Sequence, residues 1–463
     1  MPRLRPSLIP LLLAVVTGSA VAAQPATAAD PSREVVARFR ASATPAQVAR
    51  ALRDAGAVDA GPAPQGARLL RLRPGRSAQG ASDRLLATNA VADAGPRLVA
   101  RASGFTPNDT GLAGRSGTAG GWAAQEWDLT GPFGIHAPEA WAAAARLGHP
   151  GGRGVTVGIV DTGIAYSDRP PYRRSPDIAP ARLVRGYDFV DNDPYPNDRN
   201  GHGTFVAGVV AAAADNGYGM IGVAYQAKLM PVRVLDGDGA GTGTRIARGL
   251  RWAVDHGANV LNVSIELYDR LTLQAQSMTT DPAIRDAVRY AARHNVLVVA
   301  ASGNSSSQSV PSTRLGSDIL YVGGSTEHGC LGDYSNHGPG LDLVAPGGGR
   351  DADFPDDPRC NQTQRGRNVL QVSFKRPDFG RFQLVRDSSG RPGFKGTSMA
   401  APHATGVVAL LLASGVLGSH PTPQAIQARL RATAQDLGAP GPDARYGAGL
   451  LNAAAALSGV PAR

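Results

Sequence analysis

Two short apolar runs, each ending near a polar side chain, constrain the fold of this chain more than any other feature. Residues 154–161 are rich in β-branched side chains and end at Asp161, and residues 295–304 end at Asn304. Runs of this length and composition are typical of buried strands in a parallel sheet. Functional side chains in open α/β sheets gather at the carboxyl ends of such strands. We therefore expect Asp161 at that edge of a sheet, and Asn304 at the end of another buried strand.

Strand-like and helix-like segments alternate along the rest of the chain. Further strands are predicted at 228–235, 260–265 and 318–322, with helices at 244–256 and 282–294. Such alternation predicts an α/β fold of three layers with a mostly parallel sheet. With 463 residues, the chain is long enough for two or three domains and a full hydrophobic core.

Ser398 has the sequence surroundings of a nucleophile. It lies in the segment Gly-Thr-Ser-Met-Ala-Ala-Pro-His at 396–403, and the Ala-rich run at 400–413 predicts a helix after it. N–H groups at a helix N-terminus favour negative charge, such as a developing oxyanion. A hydroxyl also needs a base. His202, in Asn-Gly-His-Gly-Thr, is followed by small and apolar residues at helical spacing, so we expect it at a helix start with its ring free to enter a cleft.

The order Asp161, His202, Ser398 is one of the chain orders in which a serine-protease triad occurs. These three motifs and the Asn304 motif resemble those of the subtilisin-like serine proteases. The resemblance implies that Ser398 is the nucleophile, His202 the base and Asp161 the orienting acid. It implies that Asn304 and the Ser398 N–H bind the oxyanion. Asp-Thr-Gly at 161–163 also resembles half of an aspartic-protease dyad, which needs two carboxylates sharing a proton. We regard that as the weaker alternative.

The resemblance further implies a cleft in which a peptide binds as an extra strand. The residues that match its edges and the wall of its S1 pocket are Leu235, Gly239, Ser264, Ile265, Glu266, Ala301, Ser302 and Gly303. Relatives often have glycine at the position of Glu266, and the loop after it is lengthened to about residue 281. A carboxylate at the pocket mouth would favour a basic residue before the scissile bond. The alternative, which we favour, is an exposed glutamate on a longer loop.

The same resemblance implies structural calcium and no catalytic cofactor. A first predicted site uses Asp177 and Asn216, and a second uses Asp188, Asp193 and Asn197. Calcium binds several oxygen ligands in a flexible geometry, and carboxylates and amides in loops supply them. For both sites the alternative is that these residues are solvated turn residues.

The N-terminal residues predict export. Arg3 and Arg5 precede a short apolar stretch at 8–16, and small residues follow. This pattern is typical of a signal peptide, here residues 1–29, and is too short to span a membrane. We therefore expect a secreted protein without a membrane anchor.

Residues 30–105 resemble the propeptide of the family, which is a folding template and temporary inhibitor. The resemblance is one of pattern, with strands at 34–40, 67–73 and 97–101 and helices at 45–56 and 81–90. An unrelated small module of strands and helices is the alternative. Residues 106–121 are rich in Gly, Ser and Thr and predict an exposed linker, which leaves 122–463 as the peptidase domain.

Charge and cysteine content narrow the function further. The net charge is +10, but nearly all the basic residues are scattered arginines, so nucleic-acid binding is not expected. In an exported protein, Cys330 and Cys360 predict a disulfide, with two free thiols as the alternative. The stretch 350–390 is polar, includes Cys360 and predicts a surface insertion of unassigned role.

Together these features predict a secreted, monomeric serine endopeptidase that cleaves protein or peptide substrates. We expect it to be synthesised as an autoprocessing zymogen and inhibited by its own propeptide. One alternative is a specific processing protease that cleaves after basic residues. The other is a pseudo-protease that only binds peptides, which would need a broken triad or oxyanion site.

Overall fold

The chain divides into two units between Ala102 and Ser103. This computed structural model describes residues 34–63, 66–96, 105–111, 120–268, 275–276, 278–308, 310, 318–357 and 359–460. The predicted signal peptide at 1–29 and the predicted strand at 97–101 lie outside the described residues.

The first unit is a four-stranded antiparallel sheet with two helices that share one apolar core with it. The order of the strands across the sheet is β2-β3-β1-β4. The elements in chain order are β1 (Glu34–Phe39), α1 (Pro45–Ala55), β2 (Ala57–Pro62), β3 (Arg68–Leu72), α2 (Ala78–Leu86) and β4 (Val91–Pro96).

Local signals determine the ends of α1. Thr44 and Gln47 form a reciprocal capping box, Pro45 is the first helical residue, and Gly56 ends the helix in a left-handed conformation. The predicted helix at 81–90 instead begins at Ala78, after the Ser77 cap, and ends at Leu86. The strands β2 and β4 are not evident in the sequence, because their Ala- and Gly-rich residues become strands only by pairing with β3 and β1.

The second unit alternates strands and helices. Its strands are β5 (Thr156–Asp161), β6 (Tyr187–Asp188), β7 (Lys228–Arg233), β8 (Val260–Val263), β9 (Leu267–Tyr268), β10 (Ala275–Gln276), β11 (Leu297–Ala301), β12 (Ile319–Ser325), β13 (Leu343–Pro346), β14 (Val372–Ser373) and β15 (Gln383–Leu384). Its helices are α3 (Trp127–Thr130), α4 (Ala137–Arg146), α5 (His202–Ala211), α6 (Gly243–Asp255), α7 (Pro282–Arg293), α8 (Thr397–Ser414), α9 (Pro423–Ala432) and α10 (Ala453–Ser458).

Seven of these strands form one sheet in the order β13-β12-β11-β8-β5-β7-β6, and each neighbouring pair is parallel. The strands β5, β8 and β11 are adjacent, so their carboxyl ends meet at one edge. Asp161 ends β5, Ser264 follows β8, and Ser302 follows β11. Three predicted site segments are therefore brought together by the sheet itself.

Helices cover both faces of this sheet, which confirms the predicted three-layer α/β fold. One core contains α6 and α7, and the other contains α4, α5, α8, α9 and α10. Successive residues of β11 point to opposite cores, with Val298 in the first and Val299 in the second. This explains why the strands appear in the sequence as continuous apolar runs.

Helix α8 is apolar because it is a core helix. It is 18 residues long with a mean hydropathy of 1.2, and 83% of it is buried inside the protein. In the described part of the chain it is the single helix with the length and composition to cross a membrane. Its burial against α5 and the sheet accounts for that composition.

The stretch 350–390 is more than the polar surface insertion that its composition predicts. Val369, Val372, Phe374 and Val385 within it are all buried, and Val369 and Val385 belong to the core of the second unit. Cys360 is joined to Cys330 by a disulfide, which excludes the alternative of two free thiols. The few apolar residues of this stretch are spread among polar ones, so the sequence does not reveal that they are buried.

The N-terminal part of the predicted linker also belongs to the second unit. Asn108 and Asp109 bond to residues 215–217, and Gly111 pairs with Gly219. The ring of Phe105 contacts Tyr225. Residues 107 and 109–111 are buried, whereas Phe105, Thr106 and Asn108 are exposed. This segment is therefore anchored in the second unit, which begins before the predicted boundary at residue 122.

Candidate active site

Asp161 and His202 form the first pair of the site. Asp161 Oδ1 accepts hydrogen bonds from His202 Nδ1 at 2.8 Å and from the Thr162 N–H at 2.7 Å. Asp161 is fully buried, whereas the His202 side chain is 28% exposed. Burial lowers the pKa of His202, but the charge of Asp161 and its hydrogen bond outweigh that effect. The pKa of His202 is therefore raised above its ordinary value of 6.5.

Asp198 shapes the loop that leads to His202, and the sequence analysis did not identify it. Its Oδ1 accepts from the N–H groups of Asn200 and Gly201, and its Oδ2 accepts from Thr204 in the first turn of α5. Burial raises the pKa of Asp198. A buried acid four residues before a candidate base is the signal that could have revealed it.

Ser398 is the second residue of α8, as the motif predicts. Its Oγ donates to the Ser264 carbonyl oxygen at 3.3 Å, and the Ser264 hydroxyl donates to the Ser398 carbonyl oxygen at 2.9 Å. Ser398 and His202 line the same cleft. Hydrogen bonds to a catalytic serine are often long or misaligned in the absence of substrate and tighten in the Michaelis complex.

Asn304 faces the same cleft in a defined orientation. Its Oδ1 accepts from the N–H of Thr397 at 2.8 Å and from the Thr397 hydroxyl at 3.1 Å. This leaves the amide nitrogen, a donor, for an incoming oxygen. Gly396 before the helix has φ of +146°, and a Cβ there would lie 3.3 Å from Asn304 Oδ1, so glycine lets the two segments approach closely.

Glu266 is neither the free pocket carboxylate nor the exposed glutamate that the sequence suggests. Its Oε1 accepts from the Asn304 N–H at 2.9 Å and from the Ser305 hydroxyl at 2.8 Å, and its Oε2 accepts from the Tyr268 hydroxyl at 2.7 Å. Both oxygens are therefore engaged by their neighbours. A Cβ at Gly303 would lie 2.7 Å from Glu266 Oε1, so this side chain packs directly against the predicted pocket wall.

Most of the other predicted substrate-binding residues have side chains that are buried or hydrogen-bonded within the protein. Leu235 and Ile265 are buried in the α6–α7 core, so only their backbones are available to a peptide. The Ser302 hydroxyl donates to the Asn336 carbonyl oxygen, while Ala301 ends β11. Gly239 lies in the turn 236–240, and the carbonyl oxygen of Gly237 in the same turn accepts from the Asn200 side chain.

A second Asp-Thr-Gly occurs at 109–111, which bears on the aspartic-protease alternative. The carboxylate of Asp109 accepts from the N–H groups of Asp215 and Asn216, whereas that of Asp161 is bonded to His202 and Thr162. The two carboxylates do not share a proton. The structure therefore excludes an aspartic dyad made from these two motifs.

The first predicted calcium site is a group of buried carboxylates. Asp177 accepts from the Asn216 amide at 2.9 Å and from the Met220 N–H at 3.0 Å, and Asp109 binds the same loop. Burial raises the pKa of Asp177 well above its usual range, and it also raises that of Asp109. No salt bridge compensates either carboxylate in the described part of the chain. These oxygens suit a hard cation, and sequence analysis missed Asp109.

The second predicted calcium site is internally neutralised. The guanidinium of Arg233, itself 1% exposed, is 2.6 Å from Asp188 Oδ2 and 3.1 Å from Asp191 Oδ2. Asn197 Oδ1 accepts from Ser167, and Asp193 Oδ1 accepts from the Tyr195 N–H. Because Arg233 provides the positive charge, Asp188, Asp193 and Asn197 do not fit a calcium ion as a set.

The assembled cleft has the parts that acyl transfer needs. A hydroxyl at a helix N-terminus, an imidazole on a buried carboxylate and an oriented amide donor all border one cavity of about 670 Å³. No group of three or more His, Cys, Asp or Glu side chains that could hold a metal ion is found among the described residues.

Comparisons with known proteins agree with this geometry. Residues 152–449 match the family model described as Peptidase S8, the subtilase family. Thermitase from Thermoactinomyces vulgaris is 30% identical over 311 residues, which cover 67% of this chain and 87% of that protein. Subtilisin BL from Lederbergia lenta is 34% identical over 327 residues, which cover 70% of this chain and 98% of that protein.

A solved structure gives the same result for the fold. A protease from Pseudoalteromonas arctica PAMC 21717 is 28% identical, and the match covers 77% of this chain and 100% of that chain with a TM-score of 0.56. These matches define a peptidase of the serine class. Within that class, the chain belongs to the subtilase family. It is a serine endopeptidase that acts on protein or peptide substrates, and the family needs no catalytic cofactor.

Proposed function

We propose that Ser398, His202 and Asp161 form the catalytic triad of this endopeptidase. Ser398 Oγ attacks the scissile carbonyl carbon while His202 Nε2 takes its proton. The same imidazole then donates that proton to the leaving amine as the C–N bond breaks, and water releases the acyl group by the reverse path. The observation that carries this proposal is the 2.8 Å bond from His202 Nδ1 to Asp161, which fixes the tautomer that can accept a proton at Nε2.

We infer that the Asn304 amide and the Ser398 N–H stabilise the tetrahedral oxyanion. Thr397 holds Asn304 through its side-chain oxygen, so the amide nitrogen is oriented before substrate arrives. Preorganised donors of this kind avoid the cost of reorientation during the reaction. Removing one typically lowers turnover by about 10²- to 10³-fold.

We propose that the protein is exported and synthesised as a zymogen. The signal-like residues 1–29 support export. The first unit has its own core of sheet and helices, which supports its assignment as a separately folded propeptide. Because residues 105–111 are bonded to the loop at 215–219, we place the maturation cut between Pro96 and Phe105.

We propose one structural calcium ion, bound at the first predicted site by Asp177, Asp109 and Asn216. The support is the burial of two carboxylates whose charge no basic side chain offsets among the described residues. A divalent cation there would stabilise the contact between residues 105–111 and the loop at 215–219. It would take no part in peptide cleavage.

Covalent labelling tests the triad directly. A fluorophosphonate probe should label the wild-type enzyme at Ser398 and leave Ser398→Ala and His202→Ala unlabelled, while all three proteins keep the same thermal unfolding. An Ala413→Ser variant, at the partly exposed C-terminal end of the same helix and away from the cleft, controls for general damage to α8. Equal labelling of the wild type and Ser398→Ala would refute the assignment of the nucleophile.

A further inference from the structure

The cleft beside Ser398 lies on the leaving-group side of the scissile bond. His202, which protonates the leaving amine in the proposed mechanism, lines it together with Ser398 and Asn304. None of the described S1-wall residues, 264–266 and 301–303, lines this cavity of about 670 Å³. A peptide with its acyl side in the S1 pocket would therefore place the residues that follow the scissile bond here.

This cleft has an excess of positive charge. Four basic side chains and two carboxylates line it, and one of the basic residues, Lys395, pairs with Asp333 at 3.0 Å. The second carboxylate, Asp387, accepts from Ser389, the Arg391 N–H and Asn368. Burial raises the pKa of Asp387, but these hydrogen bonds outweigh it and the pKa lies below its ordinary value.

Three arginines in the cleft have no carboxylate partner among the described residues. Arg350, Arg365 and Arg391 line the cavity, and none of them forms a salt bridge with any residue that the structure describes. Other arginines of the same insertion are paired, such as Arg359 with Asp357 and Arg367 with Glu327. Arg381 and Arg386 of the same insertion also form no salt bridge with a described residue, so what sets the three arginines apart is their common location at the cleft.

The backbone presents two of these arginines side by side. Arg350 and Arg365 are directly opposite each other in an antiparallel bridge, with the Gly366 N–H donating to the Gly349 carbonyl oxygen. The Arg350 carbonyl oxygen accepts from the Asp333 N–H, and the disulfide at Cys360 ties the segment down. Like charges directly opposite each other are destabilising, so this pair costs stability unless an anion lies between them.

We propose that Arg350, Arg365 and Arg391 form a subsite for an acidic side chain at the first or second position after the scissile bond. Guanidinium groups bind carboxylates through parallel N–H donors, which gives both charge and direction to the contact. The peptidase therefore prefers substrates with Asp or Glu on the leaving side. This inference rests on the proposed triad, because the leaving side is defined by His202 and Ser398.

Matched peptides test the subsite. The full-length enzyme, collected in its active form, is assayed on quenched fluorescent peptides that differ only in Glu, Gln or Arg at the first or second position after the cleaved bond. We expect kcat/KM to be about 5- to 20-fold higher for Glu than for Gln at one of these positions, as two partly exposed charge pairs acting together would give. Arg at that position should be the poorest. At about 0.5 M NaCl the preference should shrink, because salt screens exposed charges.

Charge variants locate the effect. Arg350→Gln and Arg365→Gln should each lower the Glu preference about 2- to 5-fold, and Arg365→Glu should reverse it in favour of Arg. Arg289→Gln, on the exposed face of α7, removes the same charge away from the cleft and should leave the preference unchanged. Arg289→Gln should also keep wild-type cleavage of the Gln peptide.

The outcomes separate this inference from the proposed function. If the enzyme labels with fluorophosphonate and cleaves Glu, Gln and Arg peptides equally at both positions, the subsite is refuted and the triad stands. If Arg289→Gln changes the preference as much as Arg365→Gln, the effect is one of net charge and the subsite is again refuted. If no peptide is cleaved and no serine is labelled, the proposed function itself fails.

Discussion

Glu266 is the residue for which the structure makes the sharpest prediction. Its carboxylate accepts from the Asn304 N–H, the Ser305 hydroxyl and the Tyr268 hydroxyl, at 2.7 to 2.9 Å. Burial and the nearby carboxylate raise the pKa of Tyr268 to about 12, so this hydroxyl is still a donor in alkaline solution. We predict that Glu266 acts by positioning Asn304, and not by attracting a basic side chain into the S1 pocket.

The size of the effect follows from what remains when the carboxylate is removed. Complete loss of an oxyanion donor costs about 10²- to 10³-fold in kcat. In Glu266→Ala, Asn304 loses the partner of its N–H but keeps both bonds from Thr397 to its side-chain oxygen. We therefore expect an intermediate loss of kcat, about 10- to 100-fold, with little change in KM. Glu266→Gln retains one acceptor oxygen and should lose only about 3- to 10-fold.

The assay compares two peptides that differ only in Arg or Phe before the scissile bond. If Glu266 positions Asn304, Glu266→Ala lowers kcat for both peptides by the same factor. A double-mutant cycle with Asn304→Ala gives a further test. If Glu266 acts only by positioning the Asn304 side chain, removing Glu266 should lower kcat little further once that side chain is gone. Tyr268→Phe, which deletes one donor to the same carboxylate, is the matched mild variant.

Two results would refute this reasoning. One is a selective loss for the Arg peptide with unchanged cleavage after Phe, which would make Glu266 a specificity charge in the pocket. The other is a full additional loss from Glu266→Ala in the Asn304→Ala background, which would show that the two residues act independently.

Four further predictions concern the triad, the metal, the maturation cut and a buried ion pair. Asp161→Asn should lower kcat about 10⁴-fold. Because only neutral His202 is a base, the wild-type kcat/KM should fall as pH drops through a pKa above 6.5, and this acid limb should move to lower pH in the variant, as a pH–rate profile would reveal. A chelator should lower the melting temperature of the wild type but not that of Asp177→Asn, and it should lower that of Asp188→Asn as it does for the wild type. Calcium at about 100 times its Kd would add about 2.7 kcal/mol to the free energy of unfolding. N-terminal sequencing of the mature enzyme should find a first residue between 97 and 105, and a start after Arg115 would contradict the packing of residues 105–111. Arg233→Gln should lower the unfolding free energy in urea by about 3–5 kcal/mol, because it leaves the buried Asp188 without its partner.

The sequence predicted most of the fold of the second unit. The predicted strands and helices between residues 154 and 322 occur within a few residues of their expected ends, because continuous apolar runs and helical periodicity are local signals. The same is true of α1, whose capping box, N1 proline and terminal glycine are all adjacent in sequence. By contrast, β2 and β4 exist through pairing with β3 and β1, and their own residues carry no strand signal.

The residues of the candidate site also fall into two groups: those that local sequence motifs indicate and those whose contacts only the structure reveals. Motifs within a few residues of Asp161, His202, Asn304 and Ser398 were sufficient to nominate them. The sequence motifs did not indicate Asp198, because its role depends on hydrogen bonds from backbone N–H groups. Any acidic residue in a loop could accept such bonds. Asp188, Asp193 and Asn197 do not fit a calcium ion as a set, because Arg233 on the neighbouring strand supplies the positive charge.

The sequence by itself was enough to nominate the chemical groups of the proposed site: a serine, a base, an acid and an amide, in an order that matches a known family. The tertiary structure decided what surrounds them. In the folded protein, Glu266 accepts a hydrogen bond from the Asn304 N–H, and Arg350 lies opposite Arg365 at the cleft. Residues 105–111 contact the loop at 215–219 of the same unit. The physical reason is that hydrogen bonds and ion pairs depend on distances of a few ångströms between residues far apart in the chain. A carboxylate or guanidinium in a sequence does not specify which partner the fold will bring to it.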